Sequence, residues 1–146
     1  MSTKGEQAKA LFQQGYNCAQ AVVGAYAEEL GLDFDMAMQL SSGFGGGIGR
    51  MREVCGTVSG MVMVAGLRCG KDTRDMVQKQ ELYQTVQKLA ERFREENGSS
   101  ICKELLGLEG KDKSPVPSER TTAYYKKRPC SELVAMAASI LEEELF

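Results

Sequence analysis

Apolar and polar positions along the chain follow a helical period almost throughout. Residues Thr3 to Gln14 alternate in the manner of a short amphipathic helix that stops at Gly15. Asn17 then stands where an N-cap is needed. After it, Cys18, Ala21, Val22, Ala25 and Tyr26 fall on one helical face, and Gly31 closes the segment. Asp33 to Leu40 predicts a third, short helix. A glycine-rich stretch, GFGGGIGRMREVCGTVSG, leads into an apolar helix from about Arg52 to Leu67. Asp72 is placed to cap a long amphipathic helix with an inward stripe of Met76, Tyr83, Val86, Ala90 and Phe93, ended by Gly98. Ser99 or Ser100 is placed to cap a short helix, ICKELLG. The last helix begins near Pro129 and carries Leu133, Val134, Ala137, Ile140, Leu141 and Leu145 inward.

Between the last two helices, residues 110–128 form a polar segment with Pro115 and Pro117, two tyrosines and the basic trio Lys126, Lys127 and Arg128. This predicts a loop. Runs of alternating character are too short for strands, and no strand–helix–strand unit is present. The expected fold is all-α: a compact bundle of six or seven helices forming one domain over residues 1–146.

Composition adds limits. The chain has 146 residues, enough for one ordinary core, with 42% hydrophobic and 26% charged residues. A net charge of −2 gives no electrostatic case for nucleic acid or an anionic membrane. The N-terminal residues lack the apolar core of a signal peptide, and the longest apolar run is too short to span a bilayer. A cytoplasmic location is expected, where thiols are kept reduced. Histidine is absent, which removes the usual zinc ligand, the usual general base and every Ser–His or Cys–His pair.

The glycine stretch has two readings. It lacks the register of a dinucleotide fingerprint and follows no strand, and it lacks the Gly-Lys-Ser/Thr of a P-loop. Backbone N–H groups at a helix start attract anions, and Arg50 and Arg52 stand close by. The simpler reading is steric: a tight turn before the Cys55 helix, with Gly56 and Gly60 four apart on one face so that a neighbouring helix packs close.

Five cysteines remain, with no CxxC pair, so neither a disulfide framework nor a zinc ribbon is indicated. Four of them, Cys18, Cys55, Cys102 and Cys130, fall in or near the first turn of an expected helix. A helix start presents unpaired N–H groups and partial positive charge, which favour thiolate. Each of the four also lies on an apolar stripe, so the sulfurs are expected to meet at one end of the bundle. Any single buried cysteine is more simply a small hydrophobe, and Cys69 keeps that reading. It lies fourteen residues after Cys55 on one expected helix, about 21 Å away, too far to pair with it.

GYNCAQAV, GGGIGRMREVCGTVSG, NGSSICKELLG and PCSELVAMAA together resemble the C-GCAxxG-C-C family of redox-active proteins, over about Gly15 to Ile140. By position, the family's four cysteines match Cys18, Cys55, Cys102 and Cys130. Thr57 stands in the alanine place of the family's Cys-Gly-Ala-x-x-Gly stretch. A related domain occurs in a haem-containing cytochrome with an iron–sulfur cluster. The C-x-x-C-H of haem attachment is absent here, so the haem part does not carry over.

Three functions follow. In the first, the cysteines carry thiol/disulfide chemistry as a thiol oxidoreductase, with Cys55 as the best nucleophile and Cys18, Cys102 or Cys130 resolving. In the second, the same four bind zinc or a [2Fe–2S] cluster as an electron carrier. In the third, the domain is a non-catalytic helical binding module with an acidic ligand near Arg50 and Arg52. Thiol chemistry itself requires no cofactor. The redox partner or small-molecule substrate is not named by the residues, and the close-packing glycines and long amphipathic helix are compatible with a homodimer.

Overall fold

The computed structural model describes residues 3–107, 114–122, 124 and 129–146. Seven α-helices are present among them: α1 (Thr3–Gln13), α2 (Cys18–Tyr26), α3 (Phe34–Ser41), α4 (Gly56–Cys69), α5 (Met76–Asn97), α6 (Cys102–Leu105) and α7 (Cys130–Leu145). A 3-10 turn, Ser42–Phe44, follows α3. No strand forms among the described residues, and the fold is all-α. No helix among them is long and apolar enough to cross a membrane.

Helix α2 lies at the centre and touches α1, α3, α4 and α7, while α5 packs across α4 and α7. Its position explains its composition: Ala19, Ala21, Val22, Val23 and Tyr26 are all buried, not only the one face that the period predicted. The Tyr26 hydroxyl satisfies itself in the core by donating to the Ala138 carbonyl of α7. Around it, Phe12, Met61, Val64, Phe93, Val134 and Leu141 complete the apolar centre.

Asn17 caps α2 as expected, in a reciprocal box. Its side chain accepts from the Gln20 N–H at 2.9 Å, and the Gln20 side chain accepts from the Asn17 N–H at 2.9 Å. Asp33 caps α3 one way only, its side chain accepting from the Met36 N–H. Gly98 closes α5 in the left-handed region, at φ 85°.

Gly56 and Gly60 of α4 serve the close packing expected of them. A Cβ at Gly60 would lie 2.9 Å from the Val22 Cβ and 3.1 Å from the Ala19 carbonyl. A Cβ at Gly56 would meet the Phe44 carbonyl at 3.0 Å and the Cys18 Cβ at 3.1 Å. The absence of side chains there lets α4 rest on the backbone of α2, which draws Cys55 and Cys18 into one neighbourhood.

Several boundaries differ from the sequence expectation. Helix α4 starts at Gly56, not Arg52, because Arg52 is left-handed and Val54 and Cys55 are engaged with residues 100–101. The long helix is capped by Asp75, not Asp72. Its stripe is shorter than predicted: Leu89 and Phe93 are buried and Val86 and Ala90 pack partly, but Met76 is 76% exposed and Tyr83 60% exposed. The first two turns of α5 extend past the bundle, so periodicity there has no core to face. Ile101 occupies the N-cap of α6, while Ser99 accepts from the Ile101 N–H just before it. Of the expected loop over 110–128, residues 114–122 carry no extended regular element, and Lys126, Lys127 and Arg128 lie outside the described residues.

Candidate functional site: a four-cysteine cavity

The glycine stretch makes a feature that periodicity does not reveal. Residues Gly46, Gly47, Ile48, Gly49 and Arg50 all have positive φ, from 56° to 73°, and Arg52 follows at 62°. The chain is therefore coiled left-handed over a full turn. Three of its hydrogen bonds reach back six residues: Gly49 N–H to the Gly43 carbonyl at 2.8 Å, Arg52 N–H to Gly46 at 3.2 Å, and Glu53 N–H to Gly47 at 3.0 Å. Glycine enters this region freely, but Ile48, Arg50 and Arg52 each meet a cost of about 1–2 kcal/mol. Strain of this kind persists where surrounding structure enforces it, often at functional sites.

The coil has two results. It turns Arg50 and Arg52 toward one cavity, and it delivers the chain to a short antiparallel contact with the approach to α6. There Val54 bridges Ile101; the Cys55 N–H donates to the Ser100 carbonyl at 2.8 Å and the Cys102 N–H to the Glu53 carbonyl at 2.6 Å. Cys55 and Cys102, 47 residues apart in sequence, are thus fixed on adjoining backbone segments. Gly47 lies beneath them. A Cβ there would stand 2.6 Å from the Cys102 Cβ and 2.7 Å from the Glu53 nitrogen.

Cys18 is the first residue of α2, Cys102 the first of α6 and Cys130 the first of α7, while Cys55 is the N-cap of α4 and not within it. All four are buried, at 5–9% exposure, and all four line one cavity of about 400 Å³. Cys69 ends α4, is half-buried and is not part of that wall.

The thiols differ in their partners. The neighbouring Cys130 thiol holds the Cys18 proton well above the usual thiol range, with burial and the nearness of Cys55 and Cys102 acting in the same direction. Burial pushes the Cys55 thiol up to about 11, against the opposing pull of hydrogen bonds from Thr57. The Thr57 hydroxyl lies 2.9 Å from the Cys55 sulfur and is itself fully buried. Arg52, 4% exposed, donates from Nη1 to the Cys102 sulfur at 3.6 Å. The low thiol pKa expected from the helix starts is not what Cys18 and Cys55 show: the Cys130 thiol and burial raise Cys18, and burial raises Cys55.

The cavity wall is completed by Pro115, Pro117, Ser118, Arg120 and Tyr124, from the segment that sequence reasoning left as a loop. Arg50 donates from Nη1 to the Ser114 carbonyl and from Nη2 to the Ser118 hydroxyl at 3.1 Å. Arg120 donates to the Phe12 carbonyl and, at 2.8 Å, to the Tyr16 carbonyl, with its guanidinium 4.3 Å above the Phe12 ring. These contacts fasten the segment to α1 and to the coil. Nothing in the spacing around Arg120 marks it out; only the folded chain brings it to α1.

Residues 16–144 match the family model described as "Putative redox-active protein (C_GCAxxG_C_C)". The chain belongs to this family. A further relative is a protein of Archaeoglobus fulgidus named "Uncharacterized protein", 28% identical over 138 residues, which cover 89% of this chain and 85% of that protein. No solved structure matches the chain. The matched residues 16–144 include all four cysteines of the cavity, and the left-handed coil and α4 packing are built from the glycines on either side of Cys55.

Proposed function

We propose that this C-GCAxxG-C-C protein is a dithiol–disulfide redox protein whose working couple is Cys18 and Cys130. The observation that carries the reading is placement: Cys18 and Cys130 are the first residues of two helices, both buried, inside one cavity that two further thiols line. The Cys130 thiol and burial hold the Cys18 proton, so this sulfur waits as a thiol until an oxidant enters the cavity. Cys55 and Cys102, held together by the backbone bridge, are the second pair that receives or relays the exchange. The role of nucleophile that the sequence suggested for Cys55 is less well supported than its role as a relay, since its proton is held up to about 11.

A metal is the second use of the same donor set. Four thiols suit zinc or a [2Fe–2S] cluster in softness and number. In arrangement they suit it less: among the described residues, no three Cys, Asp or Glu side chains are grouped to hold one ion. No step is assigned to a metal here.

Anaerobic purification, with metal analysis and a thiol count on the same sample, tests the proposal. A colourless protein with all thiols titratable after unfolding, and a pair of them lost to a disulfide oxidant, supports it. Stoichiometric zinc or iron, or thiols that no oxidant reaches in the folded chain, would contradict it.

A further inference from the structure

One buried hydroxyl at the site has an unusual partner. Ser41, Thr85 and Ser139 each donate to the carbonyl four residues back, the ordinary bond of a hydroxyl on a helix. Thr57 stands in the first turn of α4, where the carbonyl four back belongs to Glu53, ahead of the helix and already accepting from the Cys102 N–H. Its hydroxyl lies 2.9 Å from the Cys55 sulfur instead, and the residue is wholly buried. A neutral thiol is a weak donor and a weak acceptor, so it offsets little of the cost of burying a hydroxyl. A thiolate is a strong acceptor, and a hydrogen bond to it is about twice as strong. The pair is therefore matched to a Cys55 that carries negative charge, although the resting sulfur holds its proton.

The sulfur that can hand Cys55 that charge is Cys18. A Cβ at Gly56, the residue after Cys55, would stand 3.1 Å from the Cys18 Cβ and 3.1 Å from the Ala19 nitrogen. The start of α4 thus rests on the start of α2, with both sulfurs in one cavity wall. Cys18 in turn has the Cys130 thiol as a neighbour, so it adjoins a sulfur from each of two other segments.

From this we propose, resting on the dithiol reading above, that Cys55 is the leaving sulfur of the exchange that closes the Cys18–Cys130 disulfide, and that the Thr57 hydroxyl donates to it as it departs. The step starts from a Cys18–Cys55 disulfide, formed when a small organic disulfide oxidises that pair and is released as two thiols. The Cys130 sulfur, as thiolate, attacks the Cys18 sulfur, and the Cys18–Cys55 bond breaks as the Cys18–Cys130 bond forms. The electron pair of the broken bond leaves with Cys55 as a thiolate, which accepts from Thr57 and then takes up the proton that Cys130 gave. One disulfide replaces another, so no further oxidant or reductant enters this step. A thiol whose anion is better held leaves faster, so the hydroxyl directs the exchange toward a freed Cys55.

The leaving sulfur can be read directly. In a Cys130→Ser chain the exchange stops at the Cys18–Cys55 disulfide. The small thiol 2-mercaptoethanol then opens that bond, and the cysteine without the adduct is the one that left. Adducts trapped with acid at early times and mapped by mass spectrometry should sit mainly on Cys18, both with Thr57 intact and with Thr57→Ser. Thr57→Val, or Thr57→Ala should the valine variant not fold, should shift the ratio toward Cys55 by about threefold to tenfold. The serine variant keeps the hydroxyl and loses the methyl, so a packing role alone does not give this pattern. Equal ratios in all chains, adducts mainly on Cys55 with Thr57 intact, or no Cys18–Cys55 disulfide at all overturn the proposal. They leave the dithiol reading standing where the chain with all its cysteines still closes Cys18 to Cys130. Failure of that closure overturns both.

Discussion

The Arg52 guanidinium donates to the Cys102 sulfur at 3.6 Å, across a surface closed to solvent. This contact exists because the chain from Gly46 to Arg52 coils left-handed, and because Gly47 leaves room for the Cys102 Cβ. Backbone strain, a charged group and a thiol are thereby joined in one place.

Gly47→Ala should therefore be among the most damaging glycine substitutions. It adds about 1–2 kcal/mol for the left-handed backbone, and a clash with the Glu53 nitrogen that no side-chain rotation relieves. Gly66→Ala, in α4 with nothing within 4 Å of the added carbon, should instead gain about 0.5–1 kcal/mol. Urea unfolding of both variants measures the contrast; equal effects would deny the coil its role.

The helices and their cysteines could be read before folding, because caps are chemical. Asn17 before Cys18 and Pro129 before Cys130 mark helix starts by residue type. The close packing of α4 on α2 was legible from the spacing of Gly56 and Gly60. The left-handed coil was not, since a hydrophobic period carries no information on the sign of φ and Ile48, Arg50 and Arg52 have no preference for it. The bridge between Val54 and Ile101 is a single non-local pair, too short to leave an alternating pattern. The exposed start of α5 misled for the opposite reason: its period is helical, but Met76 and Tyr83 have no neighbour to meet.

Thr57→Val removes the hydroxyl beside the Cys55 sulfur while keeping the side chain's shape. The lost hydrogen bond should cost about 0.5–1.5 kcal/mol of stability. It should also raise the Cys55 proton affinity further, since that bond now opposes burial. Alkylation of Cys55 against pH, read by mass spectrometry, should shift its midpoint upward; a downward shift would contradict the assignment.

Stability should fall in alkali. The unfolded Cys55 thiol loses its proton near pH 9 and the folded one near about 11, so the folded chain binds more protons across that window. Its contribution is complete below pH 9 and is lost as pH rises through 11. Cys18, raised by the Cys130 thiol and by burial, acts in the same direction. Urea midpoints from pH 8 to 11 should decline, and Cys55→Ser should flatten part of that decline.

Arg120→Ala cuts residues 114–122 loose from the Phe12 and Tyr16 carbonyls. Thiol-reagent labelling of Cys18 and Cys130 in the folded protein should rise several-fold, with Cys69 labelling unchanged because it lies outside the cavity. Parallel increases at all five would indicate general loosening and not an opened wall.

The pairing of sulfurs under mild oxidation tests the central claim most directly. Reduced protein is treated with one equivalent of a small disulfide oxidant, quenched, digested and mapped by mass spectrometry. The predicted product joins Cys18 to Cys130 by an intramolecular disulfide. Four untouched cavity thiols, or oxidation confined to Cys69, would contradict it.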